Sequence, residues 1–232
     1  MSNAQQESLI LDGRHTPQNI SLYSFCFGIA FGGCLAIGYF SDTIPQLGIF
    51  LAALALFHEL EYMMTALFKP DIISLDSFLL NNGNLYHIAH ASGISEFLIE
   101  LYLFPNIKSF RFLRYIGFVV MVIGQTVRSL AMWRAKSNFS HTIVYHKKQD
   151  HILVTNGVYA YLRHPSYFGF YWWAVGTQIL LCNPICIFGF LYALHRFFKA
   201  RINEEEPLLI DFFGKDYVEY KMKTPTYIPL ID

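Results

Sequence analysis

The chain has 232 residues, of which 54% are hydrophobic, 17% aromatic and only 15% charged, whereas soluble domains carry nearer a quarter charged residues. Formal net charge is zero, so no basic surface invites nucleic acid, and 22 Phe with 15 Tyr are out of place in a chain surrounded by water. An all-α, polytopic membrane protein is the class that remains.

Residues 1–19 are polar, and the apolar segment after them is too long for a cleavable signal peptide. At roughly 20 apolar residues per crossing, about six transmembrane helices are expected, at residues 20–40, 44–68, 85–104, 112–133, 168–181 and 185–198. The first four form an N-terminal membrane region, residues 1–136. The last two are short, and Asn183-Pro184 between them reads as the turn of a tight helical hairpin inside a C-terminal region, residues 137–232.

Several ionisable residues fall within the expected spans: His58, Glu59, Glu61, His87, His90, Glu96 and Glu100. Such groups face a protein interior, either lining a cavity or pairing with one another. HELEY at residues 58–62 lacks the second histidine of a zinc-protease motif, and His87 with His90 has no third ligand, so no metal site is expected. The four cysteines, Cys26, Cys34, Cys182 and Cys186, form no metal-type grouping and read as small buried hydrophobes, with a Cys182–Cys186 disulfide as the alternative.

Lys and Arg flank the later spans unevenly. Arg128, Arg134, Lys136, Lys147, Lys148 and Arg163 precede the hairpin, and Lys199, Arg201, Lys215, Lys221 and Lys223 follow it. The positive-inside rule places both groups in the cytosol, and the N-terminus with them. Lys108, Arg111 and Arg114 argue the other way. The sequons at Asn19 and Asn138 are cytosolic in this topology and stay unmodified.

Two polar clusters bracket the hairpin. The first is HILVTNGVYAYLRHPSY, residues 151–167, where Asn156-Gly157 permits a turn and Pro165 suits the first turn of a helix. Free N–H groups at that helix start, beside His164, suit a polar or anionic ligand group, and Tyr159, Tyr161 and Tyr167 could stack on a heteroaromatic one. An aromatic, basic interface belt explains the same residues. The second cluster is RINEEE, residues 201–206, where Arg201 and Glu205 share one helix face at i and i+4. A surface ion pair and the rim of a binding site are both open there. The tail FFGKDYVEYKMKTP reads as one amphipathic helix stopped by Pro225. There is no P-loop, no GxGxxG after a strand and no GxSxG elbow.

HILVTNGVYAYLRHPSYFGFYWWAVGTQILLCNP followed by RINEEEPLLIDFFGKDYVEYKMKTPTYIP closely resembles the protein-S-isoprenylcysteine O-methyltransferase family, with weaker similarity in SFLLNNG and SHTIV upstream. The resemblance implies an enzyme of the endoplasmic reticulum membrane with its active site facing the cytosol. It would transfer a methyl group from S-adenosyl-L-methionine to the prenylcysteine carboxylate of CaaX-processed proteins, farnesylated or geranylgeranylated. By the same resemblance the cofactor pocket comprises His151, Ile152, Leu153, Val154, Tyr159, His164, Pro165, Ser166, Tyr167 and Glu205, and Arg201 meets the substrate carboxylate as the catalytic residue. Val144 stands where relatives often place a polar side chain that reaches the cofactor. The competing classes are a phospholipid methyltransferase, a much longer NADPH-dependent sterol reductase-like enzyme, and a channel or transporter built on His58, Glu61 and Glu96.

Overall fold

The computed structural model describes residues 15–147 and 149–231 and groups the chain into two compact units, residues 1–82 and 83–232. The boundary at residue 136 drawn from the sequence separates expected roles and is a different division from this one. Among the described residues every regular element is helical.

The first unit is a helical pair. Helix α1, Pro17–Phe40, starts on the Thr16 side chain, which accepts from Asn19 N at 3.3 Å, with Pro17 filling the first turn. Helix α2, Pro45–Phe68, crosses α1 where Gly48 sits so close that a methyl on it would lie 2.5 Å from Gly38 N. Two polar contacts lie inside the unit. Ser24 donates to Glu59 Oε1 at 2.6 Å, and His58 Nδ1 donates to the Phe78 carbonyl at 2.7 Å, which fixes the proton on Nδ1. Tyr62 stacks on Phe78 at 4.4 Å.

The second unit contains α3 (Asn84–Leu103), α4 (Arg111–Ala135), α5 (Pro165–Leu180), α6 (Pro184–Phe213) and α7 (Lys215–Lys223). Its central contact is α4 against α5, and glycine makes it possible. A methyl on Gly117 would lie 2.1 Å from Leu180 N, one on Gly124 2.3 Å from Trp173 N, one on Gly169 2.6 Å from Arg128 N, and one on Gly176 2.5 Å from Met121 N. Each helix therefore places two glycines seven residues apart on the shared face, and the backbones touch with no side chain between them.

The turn of the α5–α6 hairpin is held by α3 and the segment after it. Lys108, 4% exposed, shares its three ammonium protons among Glu100 Oε2 at 2.6 Å, the Leu181 and Cys182 carbonyls at 3.0 and 2.9 Å, and Asn183 Oδ1 at 2.9 Å. Glu96 accepts from Ile185 N and Cys186 N at 2.6 Å each. A cation thus closes the C-terminus of α5 and an anion the N-terminus of α6, each matching its helix dipole. The polar seam of α3 pairs internally. Lys108 is consumed by this clamp. All four cysteines are free thiols.

Among the described residues three helices, rather than the six spans expected, are long and apolar enough to cross a membrane: Pro17–Phe40, Pro45–Phe68 and Arg111–Asn138. The others fail for physical reasons. Helix α3 carries Glu96 and Glu100 on its buried face. Helix α5 has 16 residues, about 24 Å at 1.5 Å per residue, short of a hydrocarbon core about 30 Å thick. Helix α6 does not end near residue 198 but continues for 30 residues through the charged cluster and past Pro207 to Phe213. The expected tail helix is also divided: Gly214, at φ +59°, separates α6 from α7.

Candidate active site

The segment at residues 151–154 is irregular and is held by its flanks. Ile152 N donates to Asn138 Oδ1 at 2.8 Å, and the His151 ring packs edge-on against Phe213 at 5.3 Å. Gly157, at φ +63°, makes the turn that follows, and Arg134 Nε donates to Asn156 Oδ1 at 2.5 Å beside it. The next turn carries Tyr159, whose carbonyl accepts from Tyr220 on α7 at 2.7 Å. Pro165 then opens α5, and Arg128 from α4 fixes its first turn by donating to Ser166 Oγ at 3.0 Å.

Helix α6 supplies the opposite wall. Tyr167 donates its hydroxyl proton to Glu205 Oε2 at 2.5 Å and accepts from Arg201 Nε at 2.9 Å. Arg201 Nη2 also donates to the His141 carbonyl. The Tyr167 ring lies parallel to His164 at 5.3 Å. Arg201 and Glu205 are therefore joined through one phenol rather than to each other.

Beneath them lies an ion cluster that the sequence did not reveal. Glu206 Oε1 accepts from Arg163 Nε at 2.6 Å and lies 3.3 Å from His164 Nε2, and Lys221 donates to Oε2. Arg163 Nη1 donates to the Thr224 carbonyl at 2.7 Å, and Arg163 N to the Pro225 carbonyl at 3.0 Å, so the chain's C-terminal segment is tied to the start of α5. Burial works to raise the Glu206 pKa, but hydrogen bonds from His164 and Lys221 and the charges of His164 and Arg163 outweigh it and hold the carboxyl at about 2. Burial pushes the Tyr159 and Tyr217 phenols upward, with nearby carboxylates adding to it, so both stay protonated donors at neutral pH.

A carboxyl whose folded pKa lies below its ordinary value of 4.5 stabilises the fold fully above that value and loses the contribution as pH falls toward 2. Wild-type protein in detergent is therefore expected to lose thermal stability as pH falls from about 4.5 toward 2. Glu206→Gln should be less stable at pH 7 and flatter over the acid range. An acid profile unchanged by this substitution would remove Glu206 as the cause.

A single pocket is lined by His151, Ile152, Leu153, Val154, Tyr159, His164, Pro165, Ser166, Tyr167 and Glu205. Every residue expected to contact the cofactor lies in its wall. Arg201 stands behind Tyr167 rather than in the lining, and Val144 is also outside it. The wall further includes Asn138, Phe139, Ser140, Leu209, Phe213, Tyr217 and Tyr220. Sequence reading missed these, although the aromatic positions of the tail helices were a visible signal. Arg163 is 5% exposed, and its Nη2 is a buried donor with no acceptor from the protein. The pocket thus combines aromatic faces with a carboxylate, a set that fits a polar ligand carrying a heteroaromatic ring.

A family model described as isoprenylcysteine carboxyl methyltransferase matches residues 115–211. The protein-S-isoprenylcysteine O-methyltransferase of Dictyostelium discoideum is 48% identical over 194 residues, covering 84% of this chain and 81% of its own. That of Saccharomyces cerevisiae is 42% identical over 228 residues, covering 95% of each. The human protein of the same name is 40% identical over 223 residues, covering 96% of this chain and 78% of its own. A solved structure described as the eukaryotic intramembrane Ras methyltransferase superposes with a TM-score of 0.89 at 40% identity, covering 91% of this chain and 76% of that one.

Proposed function

The chain belongs to the isoprenylcysteine carboxyl methyltransferase family, and from that premise we propose how its pocket performs methyl transfer to the prenylcysteine carboxylate at protein C-termini. It is a membrane-embedded methyltransferase. The observation that supports the site assignment is the convergence of residues 151–167 and 201–206 on one pocket, with Arg201 and Glu205 bridged by Tyr167.

The methyl donor is S-adenosyl-L-methionine, which supplies an electrophilic methyl group on a sulfonium. His151, Ile152, Leu153, Val154, Tyr159, His164, Pro165, Ser166, Tyr167 and Glu205 hold it. Tyr159 and the His164 ring offer faces to the base, and Glu205 accepts from hydroxyl or ammonium groups.

The acceptor carboxylate has an ordinary pKa of about 3.5 and is ionised at neutral pH, so no general base is required. What the protein must do is align the groups and exclude water. Arg201 has its Nε on Tyr167 and one Nη2 proton on His141, which leaves the Nη1–Nη2 end of its fork to grip the carboxylate in a bidentate manner. Two carboxylates side by side repel, so Glu205 serves the donor side.

A farnesyl chain has on the order of 10 kcal/mol of transfer free energy, at about 0.8 kcal/mol per buried methylene. A site reached laterally from the bilayer avoids extracting it, which is the reason for embedding the enzyme. We assign the enzyme to the endoplasmic reticulum membrane with the pocket facing the cytosol. Residues 137–232 carry catalysis, and the substrates are farnesylated or geranylgeranylated CaaX proteins.

Membranes containing the protein, given labelled S-adenosylmethionine and N-acetyl-S-farnesylcysteine, should form a base-labile methyl ester. Glu205→Ala should raise the KM for the donor at least about tenfold, the loss expected for one charge-assisted hydrogen bond. Label appearing in phosphatidylethanolamine instead of ester would reassign the enzyme to the phospholipid class.

A further inference from the structure

The Tyr167 hydroxyl carries a single proton, and the two groups beside it determine where that proton goes. Arg201 Nε can only donate, so at 2.9 Å the phenol oxygen is its acceptor, and the proton is committed to Glu205 Oε2 at 2.5 Å. The ring packs parallel to His164 at 5.3 Å and tilted against Phe198 at 5.2 Å. Arg201 is further fixed by the His141 carbonyl. The chain Glu205–Tyr167–Arg201 is therefore polar and directional, and runs from a pocket-lining carboxylate to a guanidinium outside the lining.

We propose that the Tyr167 hydroxyl is a positioning group that couples occupancy of the methyl-donor pocket at Glu205 to the orientation of Arg201, so that donor and prenylcysteine bind with positive cooperativity. The inference rests on the reading of the pocket given above. Glu205 is only half-buried, with 26% of its side chain exposed, so it keeps rotamer freedom that a ligand bonded to it removes. Fixing Glu205 fixes the acceptor of the Tyr167 proton, and with it the phenol oxygen that receives Arg201 Nε. The prenylcysteine carboxylate then meets a guanidinium already ordered, and the second ligand bears less of the ordering cost. By linkage the effect is reciprocal, with a factor of about ten falling in the usual range of coupling between sites.

Tyr167→Phe is the informative variant because the ring contacts with His164 and Phe198 stay while the hydroxyl is lost. Full-length protein in lipid nanodiscs is titrated with S-adenosylhomocysteine, with and without N-acetyl-S-farnesylcysteine, and then in the opposite order. In the wild type each ligand should tighten the other about tenfold, and in Tyr167→Phe the factor should fall to about one. A merely structural role would weaken both binary affinities and leave the factor unchanged, which overturns the proposal. Independent binding in the wild type overturns it as well. Failure of S-adenosylhomocysteine to bind the wild type at all would overturn the donor-pocket reading itself, and this coupling with it.

Discussion

Arg201→Ala membranes are expected to form methyl ester at less than about one hundredth of the wild-type rate, a loss of about 2.7 kcal/mol of transition-state stabilisation. The size follows from what the side chain does. Its Nε and Nη2 are held by Tyr167 and His141, so the remaining fork is aimed at the carboxylate once the donor is in place, and this orientation is lost together with the charge. Arg201→Lys keeps the charge but cannot satisfy Tyr167 and His141 and still present two parallel donors, so it should recover only a small part of the rate. Far-ultraviolet circular dichroism and S-adenosylhomocysteine binding should stay close to wild type, because Arg201 does not line the donor pocket. An alanine variant with more than half of wild-type activity would remove Arg201 from the reaction.

Lys108→Met should cost the fold more than any surface substitution. The ammonium is buried with Glu100, and its removal leaves that carboxylate and the Leu181 and Cys182 carbonyls without their donor. Breaking a buried ion pair from one side costs about 3–5 kcal/mol, enough to unfold a marginally stable protein. The expected result is a sharply lowered melting temperature in detergent. The double variant Lys108→Met with Glu100→Gln should recover part of the loss, because the stranded charge is gone. If the single variant melts with the wild type, the clamp at the hairpin turn contributes nothing to stability.

The two polar clusters were legible because each is contiguous: RHPSY and RINEEE place several functional groups within one or two helical turns. The resemblance then supplied what spacing alone left open between an interface belt and a site. What stayed hidden was long-range. Lys108 read as a flank charge, and only its distance from Leu181 and Asn183 makes it a clamp. Gly117, Gly124, Gly169 and Gly176 are unremarkable among 15 glycines until the two helices are laid together. Glu206 looked equivalent to Glu205, yet the one-residue step turns it from the pocket into an ion cluster with Arg163 and Lys221. The span count failed because apolar length was taken for helix length, and α6 passes unbroken from its apolar half into its charged half.

The glycine seam between α4 and α5 also bears on what the pocket will accept. The start of α5, with His164 just before it and Tyr167 in its first turn, is followed at once by Gly169, where the α5 backbone rests against the α4 backbone, while the Arg128 side chain pins Ser166. A joint of main chain on main chain has no rotamers to redistribute, so α5 itself cannot shift away from a bulkier ligand. A donor analogue enlarged toward α5 should be refused outright, whereas one enlarged toward α6 meets Glu205 and Leu209, side chains that can still rearrange. Discrimination between analogues should therefore be lopsided, strict on one side of the pocket and tolerant on the other.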